Sequence, residues 1–252
     1  MALLDKVSRR ARHQEGKKAW RRVVNIPLLA SRTHDFILDL RDSLSHEQFA
    51  QFYRLIRPYT MSGNSRLRGL YNAVQHVIGQ QVPGDIVECG AAQGGSAALM
   101  GLTLKQSGDD RRLWVFDTFE GLPPATADDP DFEIAKLYTG QCRAELSEVT
   151  ALFKRLDILT NSNLIKGLFQ ETLPTCDVKS ISVLHIDGDW YESVKVCFDH
   201  LYDRVSSGGI IQIDDYGHWE GARKAVNEFM RQRSLNLELR RLDYTGRQFI
   251  KP

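Results

Sequence analysis

The stretch SVLHIDGDWYES, Ser182 to Ser193, ends an apolar run on two carboxylates, Asp187 and Asp189, with an aromatic pair behind them. Two acids that close repel each other and are costly near a core. A metal, a cation or a water-filled cleft has to compensate them, unless the stretch is only a solvated strand-to-helix turn. A second run, GGIIQIDD from Gly208, also ends on a pair of acids, Asp214 and Asp215. Both runs read as buried strands, and each is followed by an amphipathic helix, YESVKVCFDHLYDRV and HWEGARKAVNEFMRQRS.

The same alternation extends toward the N-terminus. DIVECG, RLWVFDT and SNLIKGLF read as strands, and GGSAALMGLTLKQSG and CRAELSEVTALFKRL as helices. Continuous apolar strands imply burial on both faces. Repeated strand-helix units imply right-handed crossovers, a largely parallel sheet and helices on both sides: a three-layer, doubly wound α/β fold. LELRRLD and RQFIKP, joined by YTG, close the chain as an antiparallel hairpin. FILDLRDSL and SHEQFAQFYRLI, before the first strand, read as helices, with Ser45 as a cap. We therefore expect a basic, helical N-terminal extension over residues 1–58 and the catalytic domain over 59–252. The long segment FEGLPPATADDPDFEIAKLYTGQ, which follows the second strand, is expected to cover a substrate.

Composition narrows the function. Of 252 residues 42% are hydrophobic, enough for one sizeable core, and the net charge of +1 gives the whole protein no attraction for nucleic acid. No apolar run reaches the roughly 18 residues of a membrane span. Four scattered cysteines, Cys89, Cys142, Cys176 and Cys197, form no zinc or disulfide pattern. The expectation is a cytoplasmic enzyme. The segment up to Val24 is rich in Lys and Arg and reads as a solvated arm.

VECGAAQGGSA, Val87 to Ala97, is a strand-to-helix turn. Gly90 lets the chain turn tightly, and Gly94 and Gly95 admit a ligand to the backbone. The spacing is neither that of dinucleotide-binding enzymes nor that of a phosphate-binding P-loop. Glu88 before it would repel a pyrophosphate and suits a cationic ligand such as S-adenosylmethionine, with its amino group and sulfonium. Asp117 ends the next strand, roughly 20 or more residues past the glycines, where an acid bonds ribose hydroxyls.

If the strands carrying the acid pairs are neighbours, three or four carboxylates face one crevice. An all-oxygen set favours a hard dication, Mg²⁺ first. A hydroxyl is a poor nucleophile at neutral pH; a dication acidifies it and a carboxylate takes the proton. Asp187, Asp214 and Asp215 are the expected ligands and Asp189 the expected base. His218 is the second candidate for the base, and His185 reads as a core residue.

VECGAAQGGS, FDTFEGLP, LHIDGDWYESV and IDDYGHWEGARKAV, in this order, resemble the macrocin O-methyltransferase family. The resemblance covers roughly residues 55 to 252. It implies the Rossmann-like class I methyltransferase sheet of seven strands with the last antiparallel. It also implies S-adenosylmethionine- and Mg²⁺-dependent methylation of a sugar hydroxyl on a small-molecule acceptor, in a homo-oligomer. It assigns Asp187, Asp214 and Asp215 to the metal and Asp189 to the base. Glu88, Gly90 and Ser96 go to the methionine end of the cofactor, Asp117 and Thr118 to the ribose, and Thr60 and Met61 to a covering segment. Rival readings are a metal-dependent glycosyltransferase using Asp-Gly-Asp and a non-catalytic adenosyl-binding module.

Overall fold

A computed structural model describes residues 26–252; the basic segment read as an arm lies outside them. Three helices precede the sheet: α1 (Ile26–Leu44), α2 (Gln48–Ile56) and α3 (Asn64–Gly79). Alternation then begins with β1 (Asp85–Cys89), α4 (Gly95–Ser107) and β2 (Leu113–Asp117). A short α5 (Phe132–Ala135) interrupts the long segment expected to cover the substrate, before α6 (Leu146–Arg155) and β3 (Ser162–Lys166). α7 (Phe169–Thr172), β4 (Ile181–Ile186), α8 (Tyr191–Leu201), β5 (Val205–Ile213) and α9 (Glu220–Gln232) follow. The chain closes on the hairpin β6 (Arg240–Arg241) and β7 (Arg247–Ile250).

The seven strands lie in the order β3-β2-β1-β4-β5-β7-β6. The first five are parallel, and β7 runs antiparallel to both β5 and β6. Side chains alternate between two cores. Ile86, Val183 and Ile210 join one with α2, α3 and α4; their neighbours Val87, Leu184 and Ile211 join the other with α8 and α9. Phe49, Phe52, Tyr53 and Ile56 of α2 belong to the first core, although the expected boundary after residue 58 puts them in the extension. Ser45 accepts the Glu47 N–H at 3.1 Å, just ahead of α2.

Chain order reverses between β1 and β4, so the crevice expected of an open α/β sheet lies at their C-terminal tips. The ladder continues past the strand ends there: the Asp187 N–H donates to Cys89 O at 2.8 Å, and the Asp214 N–H to Ile186 O at 2.9 Å. This brings the three tips side by side. Gly90 is required at the join. Its φ is +92°, and a Cβ there would run into the Asp187 carbonyl oxygen.

α1 has its polarity reversed. Its acids turn inward: Asp35 accepts from the Ser65 N–H and hydroxyl, Asp39 from Tyr53, and Asp42 from Asn64 and Arg68. Leu29, Phe36, Ile37, Leu40 and Leu44 are each more than half exposed.

Candidate active site

A cavity of about 620 Å³ opens over the tips of β1, β2, β4 and β5. Its floor includes Gly90, Ser96, Asp117 and Thr118 from the cofactor reading and Asp187, Asp189, Asp214 and Asp215 from the metal reading. Thr60 and Met61 border it from the loop before α3, Tyr138 from the long segment after β2, and Cys142 from just beyond that segment. That loop is seated on Gly95, where a Cβ would stand 2.5 Å from Tyr59 O and 2.8 Å from the Thr60 Cβ.

Two of the expected cofactor residues do not line the cavity. Gly94 caps α4 in a left-handed conformation. Glu88 is fully buried and meets His185 Nδ1 at 2.7 Å, the two standing opposite each other in the β1–β4 register. Its Oε1 faces the buried histidine, and its Oε2 is buried without a hydrogen-bond partner. Gln212 and Gln248 continue this polar row across β5 and β7, bonded to each other at 3.2 Å.

Asp117 is already engaged. Its Oδ2 accepts the N–H groups of Ala91 and Ala92 at 2.7 and 2.9 Å, and its Oδ1 that of Phe119 at 2.7 Å. It thus fixes the shape of the glycine turn, and only its remaining lone pairs are open to a ligand. The Thr118 hydroxyl donates to Gly121 O at 2.8 Å, shaping the turn that begins the long segment.

The acids form two overlapping groups. Asp187, Asp189 and Asp215 bring carboxylate oxygens within 4.8 Å of one another, as do His185, Asp187 and Asp214 through their ligand atoms. A chain that ran on extended would put Asp187 and Asp189 on one side. Instead β4 ends at Ile186 and Asp189 turns left-handed, with φ +55°, its N–H donating to Asp215 Oδ2 at 3.1 Å. Burial, and next the charge of Asp215, push the carboxyls of Asp187 and Asp189 well above the ordinary range.

Asp214 stands apart in its company. Its Oδ2 is held by Arg66, which also bonds Asp243 at 3.0 Å; its Oδ1 is buried without a hydrogen-bond partner, 3.5 Å from His185 Nε2. An orphaned buried oxygen beside three mutually repelling carboxylates, all hard donors, fits a dication. Among the described residues neither group of potential metal ligands includes a cysteine, so no zinc–thiolate site competes.

Residues that the sequence reading did not single out complete the site. The Trp219 indole N–H donates to Asp189 Oδ1 at 2.8 Å, and the Trp190 indole N–H to Pro123 O at 2.8 Å. Asp129 accepts the Tyr191 N–H at 2.7 Å and Asp131 the Glu220 N–H at 3.1 Å. Two acids of the long segment thereby cap α8 and α9, whose own N-cap residues supply no side-chain bond. His218 is exposed at the cavity rim, packed edge-on against Trp219. His185 is fully buried, and its Nε2 forms no hydrogen bond.

The sheet order and a glycine turn at the first strand tip define a class I methyltransferase. The sequence model of the Macrocin-O-methyltransferase (TylF) family matches residues 43–251, and the chain belongs to that family of O-methyltransferases. Over 194 residues, 75% of this chain and 74% of the relative, it is 35% identical to the 8-demethyl-8-(2,3-dimethoxy-alpha-L-rhamnosyl)-tetracenomycin-C 4'-O-methyltransferase of Streptomyces olivaceus. It is 34% identical, with the same coverage, to the demethyldecarbamoylnovobiocin O-methyltransferase of Streptomyces niveus. Among solved structures the O-methyltransferase NovP matches with a TM-score of 0.71 at 33% identity, over 77% of this chain and 82% of that one. Family membership sets the glycosyltransferase reading aside. Among the described residues no helix is long and apolar enough to cross a membrane.

Proposed function

We propose that the chain transfers a methyl group from S-adenosylmethionine to a sugar hydroxyl of a glycosylated small molecule or polysaccharide precursor, with Mg²⁺ as its metal. The observation that carries this reading is the meeting of Asp187, Asp189 and Asp215 beside the glycine turn, in one cavity. The relatives' names support a sugar acceptor: one acts on a rhamnosyl group, another at the 3'' position of mycinamicin III. Asp187, Asp214 and Asp215 would hold the dication, whose chemistry is to acidify the acceptor hydroxyl. Asp189 takes the proton, and orientation in the cavity supplies much of the rate. Ser96, Gly90 and Asp117 border the cofactor's place, and Thr60 and Met61 close over it. Four free cysteines suit a cytoplasmic setting.

Calorimetry with S-adenosylhomocysteine and with nucleotide sugars tests the donor. The homocysteine derivative is expected to bind at micromolar or tighter concentration without a nucleotide-sugar partner. A chain that takes up no adenosyl ligand would lose this function.

We also propose a homo-oligomer. Its support is the exposed face of α1, where Ile37, Leu40 and Leu44 stand together while the acids of the helix turn inward. Monomers do not leave such a face in water without use. Light scattering after gel filtration is expected to give a dimer or larger for the wild type and a monomer for Leu40→Asp. A monomeric wild type at about 50 μM, far above the dissociation constants of stable interfaces, would end this assignment.

A further inference from the structure

The two oxygens of Asp189 have different surroundings. Oδ1 accepts the Trp219 indole N–H at 2.8 Å. An indole only donates, so the bonded oxygen is held as an acceptor and receives no proton from that partner. Among the described residues no hydrogen bond reaches Oδ2.

Trp219 cannot easily turn away. It is buried, its ring lies 4.9 Å from that of Trp190 and 5.2 Å from that of Tyr138, both edge to face, and its backbone N–H donates to Asp215 O at 3.1 Å. One residue thus ties the β5 tip through its backbone and the β4 tip through its side chain. Tyr138 belongs to the long segment that borders the cavity, and Trp190 holds that segment at Pro123 O. The two tryptophans stand between the covering segment and the carboxylate.

We propose that Trp219 is a positioning residue for the methyl transfer. It fixes the Asp189 rotamer so that Oδ2 meets the acceptor hydroxyl, and through Tyr138 it makes that rotamer depend on the seating of residues 119–141. In the step itself the acceptor oxygen forms a bond to the methyl carbon as the carbon–sulfur bond breaks. Its electron pair returns to sulfur, giving the neutral thioether, and the hydroxyl proton passes to Asp189 Oδ2. The indole proton stays where it is. This inference rests on the reading of Asp189 as the base.

Trp219→Phe keeps the ring packing and deletes the donor. With S-adenosylmethionine and a rhamnosylated phenol as the probe acceptor, kcat is expected to fall about 10- to 100-fold, the scale of a small misplacement of a reacting group. KM for S-adenosylmethionine should stay within about twofold of wild type, a split that general loss of packing would not give. A crystal structure of Trp219→Phe with S-adenosylhomocysteine should show the Asp189 carboxylate rotated from its wild-type position, whether or not the probe is methylated. Asp189→Asn is assayed alongside. An inactive Asp189→Asn with Trp219→Phe at wild-type kcat, or an unmoved carboxylate in the Trp219→Phe crystal, would overturn the positioning role alone. An active Asp189→Asn would instead remove the base on which it rests.

Discussion

Asp189→Asn is expected to lower turnover about 10²- to 10⁴-fold, the usual contribution of a positioned general base, while binding S-adenosylhomocysteine as tightly as the wild type. The substitution is nearly isosteric. An amide oxygen can still accept the Trp219 N–H, so the indole and its ring contacts stay in place. What is lost is the capacity to take a proton. The variant is also expected to melt at a higher temperature than the metal-free wild type. Burial and the charge of Asp215 both disfavour the Asp189 carboxylate, and a neutral amide escapes that penalty. Steady-state kinetics, calorimetry and a thermal melt on one preparation separate these effects. Turnover near that of wild type would take Asp189 out of the chemistry. A lower melting temperature would show that the carboxylate is better compensated than its surroundings indicate.

What could be read from the sequence follows from locality. Strand-length apolar runs and the helices between them are local patterns, so the doubly wound sheet and its antiparallel end were legible, and acids at two successive strand ends pointed to one crevice. α3 was not among the expected helices although its signal is local: Leu67, Leu70, Val74 and Val77 recur at helical spacing and are buried. Side-chain partners are a different matter. Glu88 stands at the right position for a ligand, and β4 places His185 across from it, a contact between distant parts of the chain that no local pattern shows. Asp117 ends the right strand and lines the cavity, but its bonds to two backbone N–H groups of the glycine turn are not visible in the sequence. The contact between Trp219 and Asp189 joins two strand tips far apart in the chain, and no periodicity encodes it. The reversed polarity of α1 is visible as a pattern, but which face turns inward depends on Ser65, Tyr53, Asn64 and Arg68 waiting on the neighbouring helices.

Excess EDTA is expected to abolish turnover, and Mg²⁺ to restore it. The same ion should raise the melting temperature of the chain without any cofactor, and by more as pH rises through the folded-state pKa values of Asp187 and Asp189. The sign follows from Asp187 and Asp189. Their pKa values in the folded protein lie well above the ordinary carboxylate value, so between the two values the native state holds more protons than the unfolded one. Stability without metal therefore falls as pH rises through that window, and above it the full cost of two charged, desolvated carboxylates beside Asp215 remains. A dication removes that cost only where the acids are ionised, and it must displace their protons where they are not. Its stabilising effect thus grows with pH and then levels off. Asp187→Asn should cancel most of the gain, because Asp187 belongs to both acid groups. Arg66 adds a competing charge: it already holds one oxygen of Asp214, so Arg66→Met is expected to tighten Mg²⁺ binding measured by calorimetry. Full activity in excess EDTA, or a melting temperature indifferent to Mg²⁺ across this range, would leave the acids as a charge-repelling pocket without a metal, and the acceptor hydroxyl would have to be activated by Asp189 alone.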